Sequence, residues 1–127
     1  MTNYLVGDSI IRIKNACMAR HKSVVVGNSR FVRGVLEAFV RVGIVREFSP
    51  LESGREVEVQ IAYRKKEPVL MNLKLVSTPG LHIYMDAREL AARRKSTVLV
   101  LSTSRGILTS KEALKEGVGG EVLVEIL

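Results

Sequence analysis

Apolar residues recur along this chain at two spacings, and the switches between them lay out its elements. Val6, Ile10, Ile13 and Cys17 fall three or four apart, which predicts a helix with one buried stripe. Asp8, Arg12, Asn15 and Ala19 then share its opposite face, and Thr2 or Asn3 is the candidate cap. Ser23 to Val26 is β-branched and reads as a short strand, broken by Gly27-Asn28. Ser29 is placed to cap a second helix whose buried face is Val32, Leu36 and Phe39, flanked by Val35 and Val42. Gly43 ends it.

From Ile44 the period becomes two. Ile44 to Phe48 starts a strand, and Pro50 and Gly54 bracket a hairpin turn. Val57, Val59, Ile61 and Tyr63 then alternate with Glu56, Glu58, Gln60 and Ala62, the mark of a sheet with one wet face. Arg64, Lys65 and Lys66 form a basic cluster before Pro68, readable as a solvated linker or as a phosphate patch. Val69 to Val76 is extended and apolar. Ser77-Thr78-Pro79-Gly80 signals a turn, with glycine expected at positive φ. Leu81 to Met85 is another short strand. Asp86 with Glu89 makes a capping box for a short helix closed by Arg93, Arg94 and Lys95.

Thr97 to Leu101 is almost wholly apolar, as a strand buried on both faces would be. The turn Ser102-Thr103-Ser104-Arg105-Gly106 follows it. Thr109 and Glu112 set a second capping box, Gly117 stops that helix, and Gly119-Gly120 turns the chain into a last strand, Glu121 to Ile126. The order predicts an α+β protein of two small abutting subdomains. The N-terminal one, residues 1–66, is α-β-α-β-β. The C-terminal one, residues 67–127, mixes short strands and helices, and the join falls near residues 64–78.

Composition narrows the function. At 127 residues and 46% hydrophobic, the chain can bury a core, and with no Trp that core is mainly Val, Leu and Ile. No apolar run is long enough to span a bilayer, and the first 15 residues lack the pattern of a signal peptide, so a protein of the cytoplasm is expected. One cysteine, Cys17, excludes an internal disulfide and a cysteine-rich zinc site, and reads as core packing. No metal or other cofactor is expected.

Net charge is +7, which points to an anionic partner. Residues 1–66 carry 12 Lys+Arg against 6 Asp+Glu, and residues 67–127 carry 8 against 7. The first half is therefore the electrostatic side, and the second must rely on shape and hydrogen bonds. Its turn at 102–106 either satisfies its own backbone or presents hydroxyls to base edges and ribose, with Arg105 for phosphate or stacking. Arg12 and Asn15, a cation beside an amide, suit phosphate and ribose if they are not merely solvated. Gly119-Gly120 either relieves a tight bend or admits a close partner. An enzyme is not indicated: Ser102 and Ser104 lie in no nucleophile elbow, His21 and His82 are the only histidines, and no carboxylate dyad stands out.

These residues also carry a resemblance. Asp8-Ser9-Ile10-Ile11-Arg12-Ile13-Lys14-Asn15, Ser29-Arg30, Gly43-Ile44-Val45, Val76 through Tyr84, and above all Ser102 through Gly106 followed by Gly117-Val118-Gly119-Gly120-Glu121 resemble the S-eight family of small-subunit ribosomal proteins, bacterial type. The likeness spans both halves. It departs at Ile11, where the family often has Thr, at Gly27-Asn28, and at Thr78 and His82, where a cation is common. The resemblance implies a primary binder of the central domain of small-subunit ribosomal RNA, placed in the ribosome of a cytoplasm or an organelle. Neighbouring ribosomal proteins are then partners, and its own messenger RNA is a second target for repression. The implied RNA-facing residues are Ser102, Thr103, Ser104, Arg105 and Gly106, bordered by Gly119, Gly120 and Glu121. Arg12, Asn15, Ser29 and Arg30 are implied on the N-terminal side. The alternative is a nonribosomal RNA-binding regulator of the same fold.

Overall fold

The computed structural model describes residues 3–68, 72–93 and 97–127, apart from the side chains of Asn3, Tyr4 and Pro68. Thr2, Val69 to Met71, Arg94 and Lys95 therefore lie outside the described residues, and with them one of the two expected caps, the start of one apolar run and most of one basic helix end. The chain divides into two compact units, Met1–Met71 and Asn72–Leu127.

The first unit contains α1 (Asn3–Met18), β1 (Ser23–Gly27), α2 (Arg30–Val42), β2 (Val45–Pro50), β3 (Glu56–Ile61) and a two-stranded ladder of β4 (Tyr63–Arg64) and β5 (Glu67–Pro68). Its sheet is antiparallel in the order β1-β3-β2. The predicted stripe of α1 is buried throughout, as are Val32, Val35, Leu36 and Phe39 of α2. Val57, Val59 and Ile61 bury the core face of β3, while Glu56, Glu58 and Gln60 keep the other face wetter. Ser29 caps α2 as expected, its hydroxyl accepting from Val32 N at 3.0 Å. Cys17 is buried, and desolvation pushes its thiol up to about 11. The basic cluster at 64–66 is not a linker: Arg64 ends β4, and Lys65 and Lys66, both at positive φ, form the tight turn into β5.

The second unit contains β6 (Leu73–Leu75), β7 (Tyr84–Met85), α3 (Ala87–Ala92), β8 (Val98–Thr103), β9 (Gly106–Thr109), α4 (Ser110–Glu116) and β10 (Gly120–Ile126). The sheet order is β6-β10-β8-β9, and β7 pairs with β10 beside β6. Leu90 of α3 and Ala113 of α4 close over Leu99, Leu101 and Val122 to form the core. Both predicted capping boxes are present, with Asp86 and Thr109 as caps. A register shift at Leu123 breaks the alternation of β10 and lets Val122, Leu123 and Val124 all be buried.

Several expectations change here. The strand predicted from Thr97 begins at Val98 and runs on through Ser102 and Thr103, so only Ser104 and Arg105 remain as the turn. Gly106 to Thr109, for which the sequence predicts no strand, is strand β9; four residues between a turn and a cap are too few to show a period. Of the strand expected at 81–85, only Tyr84–Met85 is strand, and Leu81 makes an isolated bridge. Gly80 does not take positive φ, because Thr78 and Leu81 bridge the turn without it. Ser77 is buried: its hydroxyl donates to Val122 O at 2.6 Å and accepts from Ile83 N at 3.0 Å. It thus joins the 77–83 loop to β10 where neither β6 nor β7 reaches.

Candidate nucleic-acid interface

The β8–β9 hairpin presents its tip on a regular ladder. Thr103 pairs with Gly106 across the turn, and the left-handed step falls on Gly106 at φ 104°, where a side chain would be strained. Thr103 holds this turn. Its hydroxyl accepts from Arg105 N at 3.0 Å and donates to Gly106 O at 2.7 Å. Ser104 is exposed at the apex. The Arg105 guanidinium lies 3.1 Å from the Glu116 carboxylate on α4, with both side chains largely in solvent. That pair orients Arg105 with little stabilisation, since exposed ion pairs contribute little.

Ser102 belongs to a different layer. Cross-strand partners share a face, so the register sets Tyr84, Glu121, Ser102 and Ile107 in one row across β7, β10, β8 and β9. The neighbouring row, Leu108, Leu101 and Val122, is the core row, which puts Ser102 on the face away from α3 and α4. Glu121 is held in that row at only 12% side-chain exposure, its carboxylate 2.6 Å from His82 Nδ1. Tyr84 ends the row at 66% exposure and offers a ring for stacking.

Gly119 and Gly120 serve the packing of their own chain. A Cβ on Gly120 would lie 2.1 Å from Ser102 O, and one on Gly119 would lie 2.3 Å from Met85 O and 2.5 Å from Asp86 Cα. The close approach seen at these glycines is by the chain's own backbone, not by a partner. The glycines let the start of β10 sit against β8 and the end of β7, which sets Glu121 beside Ser102. The shallow depression next to them is rimmed by Asp86 and Glu89, so it disfavours phosphate.

The N-terminal candidates occupy two helices. Arg12 and Asn15 are exposed on α1. The Arg12 guanidinium sits 3.0 Å from Asp8 and 3.4 Å from Val25 O, which stretches it toward β1. Ser29 and Arg30 open α2, with the Ser29 hydroxyl engaged as cap and Arg30 exposed. The structure brings Ser102, Thr103, Ser104, Arg105 and Gly106 together with Gly119, Gly120 and Glu121.

Sequence reading missed His82 and Tyr84 as members of this surface. Their contacts run to Glu121, 39 and 37 residues away, and only strand pairing reveals them. Among the described residues no three His, Cys, Asp or Glu side chains are grouped to hold a metal ion, and no helix is long and apolar enough to cross a membrane.

This geometry defines a basic α+β protein with an exposed hydroxyl-bearing hairpin and no catalytic constellation in its site. Comparison with known proteins agrees with it. The family model described as Ribosomal protein S8 matches residues 5–127. The chain is 38% identical over 126 residues to the "Small ribosomal subunit protein uS8" of Thermosynechococcus vestitus, covering 95% of each chain. It is 34% identical to the "Small ribosomal subunit protein uS8c" of Rhodomonas salina, covering 99% of each. It is 33% identical to the "Small ribosomal subunit protein uS8" of Geobacillus stearothermophilus, covering 96% of this chain and 95% of that one. The chain belongs to the ribosomal protein S8 family, whose members are structural and not enzymatic.

Proposed function

We propose that this chain, a structural protein of the small ribosomal subunit, is a primary binder of the central domain of small-subunit ribosomal RNA. It seats an irregular RNA helix on the β8–β9 hairpin. The observation that carries this reading is the division of labour among the hydroxyls. Thr103 is consumed in holding the turn, while Ser104 is exposed at its apex and Ser102 lies in the surface row. Regular A-form RNA buries its base edges in a deep, narrow groove, so a protein that selects one site needs a distorted segment and short donors and acceptors on a rigid support. A hairpin whose turn is internally satisfied is such a support.

In this reading residues 67–127 form the primary RNA-binding part. Ser104 and Ser102 read bases or ribose, Arg105 takes phosphate or stacks, and Glu121 borders them. Residues 1–66 touch neighbouring RNA through Arg12, Asn15 and Arg30, with Ser29 serving its helix first. Neighbouring ribosomal proteins pack around the complex. A copy of the same irregular helix in the protein's own messenger would bind the same hairpin and repress translation. The test is Ser104→Ala in a filter-binding assay against a central-domain RNA fragment at fixed salt. Affinity is expected to fall by about 1–3 kcal/mol with the fold unchanged. Equal affinity of mutant and parent would remove Ser104 from the interface.

A further inference from the structure

The first unit contains a second cationic feature, away from Arg12, Asn15 and Arg30 in the sequence. Arg20, Lys22, Arg46 and Lys66 line one concavity of about 630 Å³, together with Gln60 and Tyr63. These residues form no run in the chain. The fold gathers them at the end of the sheet where β3 passes into β4.

Three of the four cations stand at irregular backbone. Among the described residues, the non-glycine positions with positive φ are Arg20 at 59°, Lys65 at 54° and Lys66 at 69°. All three are basic, and two line the concavity. Left-handed positions ordinarily go to glycine or asparagine, because a Cβ there crowds the backbone. Here each has a local cause, Arg20 closing the last turn of α1, where His21 N donates to Ala16 O, and Lys65-Lys66 forming the two-residue turn of the β4–β5 hairpin, so the fold sets these cations at fixed, outward-turned positions. Arg46 falls where the pairing of β2 with β3 slips, between Val45 opposite Ile61 and Glu47 opposite Gln60. An extra residue at such a bulge turns its side chain out of the regular alternation. Tyr63 fixes the arrangement, its hydroxyl donating to His21 O at 2.6 Å between Arg20 and Lys22.

Nearby carboxylates only partly balance this charge. Glu67 is 2.8 Å from Arg20, and Glu47 is 3.9 Å from Arg46. Lys22 and Lys66 make no ion pair among the described residues. A concave surface with surplus charge of one sign concentrates the field on an anion. We infer that this concavity is a phosphate cradle for an RNA backbone, acting independently of the hairpin. It rests on the RNA-binding reading above, and it deepens that reading by assigning a place for the charge of the first half.

The experiment replaces Lys22, Arg46 and Lys66 together by Ala in the full chain. Binding to a central-domain RNA fragment and to a scrambled duplex of equal length is then titrated against salt. Three lost phosphate contacts should lower the slope of log K on log salt by about 2–3 for both RNAs, at ~0.7–0.9 per phosphate, and leave the preference between them intact. An unchanged slope, or a loss confined to the specific RNA, would overturn the cradle. Lys66→Gly is the second variant. It removes the charge and eases the left-handed backbone, so the fold should be at least as stable while both RNAs bind more weakly; undiminished binding would overturn the assignment. Backbone amide signals of 20, 22, 46 and 66 should move with RNA and not with inorganic phosphate at equal phosphate concentration. Movement with inorganic phosphate alone would make this a free-anion site instead. Failure of the hairpin reading looks different: Ser104→Ala binds normally while the triple variant still lowers the slope.

Discussion

The two units hold the groups proposed to face RNA by opposite means. In the second, a regular antiparallel ladder does the positioning. Tyr84, Glu121, Ser102 and Ile107 form a row because register and pleat leave no alternative, and the close seat of this stretch against the end of β7 and against β8 demands glycine at 119 and 120 respectively. In the first, cations stand where regularity fails, at left-handed residues and at a bulge. A ladder fixes short side chains with narrow tolerance, which suits hydroxyls that must meet defined atoms. Long cations tolerate looser placement, because charge acts over several ångströms. In the proposed reading, shape reading and charge attraction thus fall to different backbones.

This contrast can be broken first at its glycines. Gly120→Ala should destabilise the second unit by about 3 kcal/mol, because its Cβ meets a backbone carbonyl that cannot yield. Gly27→Ala in the first unit meets only the flexible end of Leu5 at 2.8 Å, and should cost less than about 1 kcal/mol. Urea unfolding of both variants checks the pair, and equal losses would refute a tight second unit beside a tolerant first. Next in size, Ser77→Ala should cost about 2 kcal/mol, since the Ile83 N–H loses a buried acceptor. A melting temperature unchanged from the parent would show that this hydroxyl is dispensable. Smallest, Ser29→Ala should cost about 1 kcal/mol through loss of the α2 cap. If RNA affinity falls while stability is untouched, Ser29 is a contact residue and not a cap.

What the sequence made legible follows the reach of each interaction. The stripe of α1, the caps at Ser29, Asp86 and Thr109, and the stops at Gly43 and Gly117 depend on residues within a turn or two of each other, and all are present. The hydroxyl-rich stretch 102–106 stood out by composition, yet its division into strand, turn and strand did not. Four residues of β9 show no period, and the role of Thr103 is a matter of atoms. The contact of Glu121 with His82 and the gathering of Arg20, Lys22, Arg46 and Lys66 come from pairings across tens of residues. The left-handed lysines were hidden for a simpler reason, because lysine carries no signal for positive φ.

The position of β10 has a consequence in time. It joins β6 and β7 on one side to β8 on the other, and it is the last element in chain order. The sheet of the first unit is complete once Ile61 has been made. Domains fold as units during synthesis, N-terminal first. A chain grown past Lys66 therefore displays its cationic concavity while β6, β7 and β8 still wait for the strand that links them. In the proposed reading, attraction to RNA then precedes selection among RNAs, and the nascent protein is sticky before it discriminates.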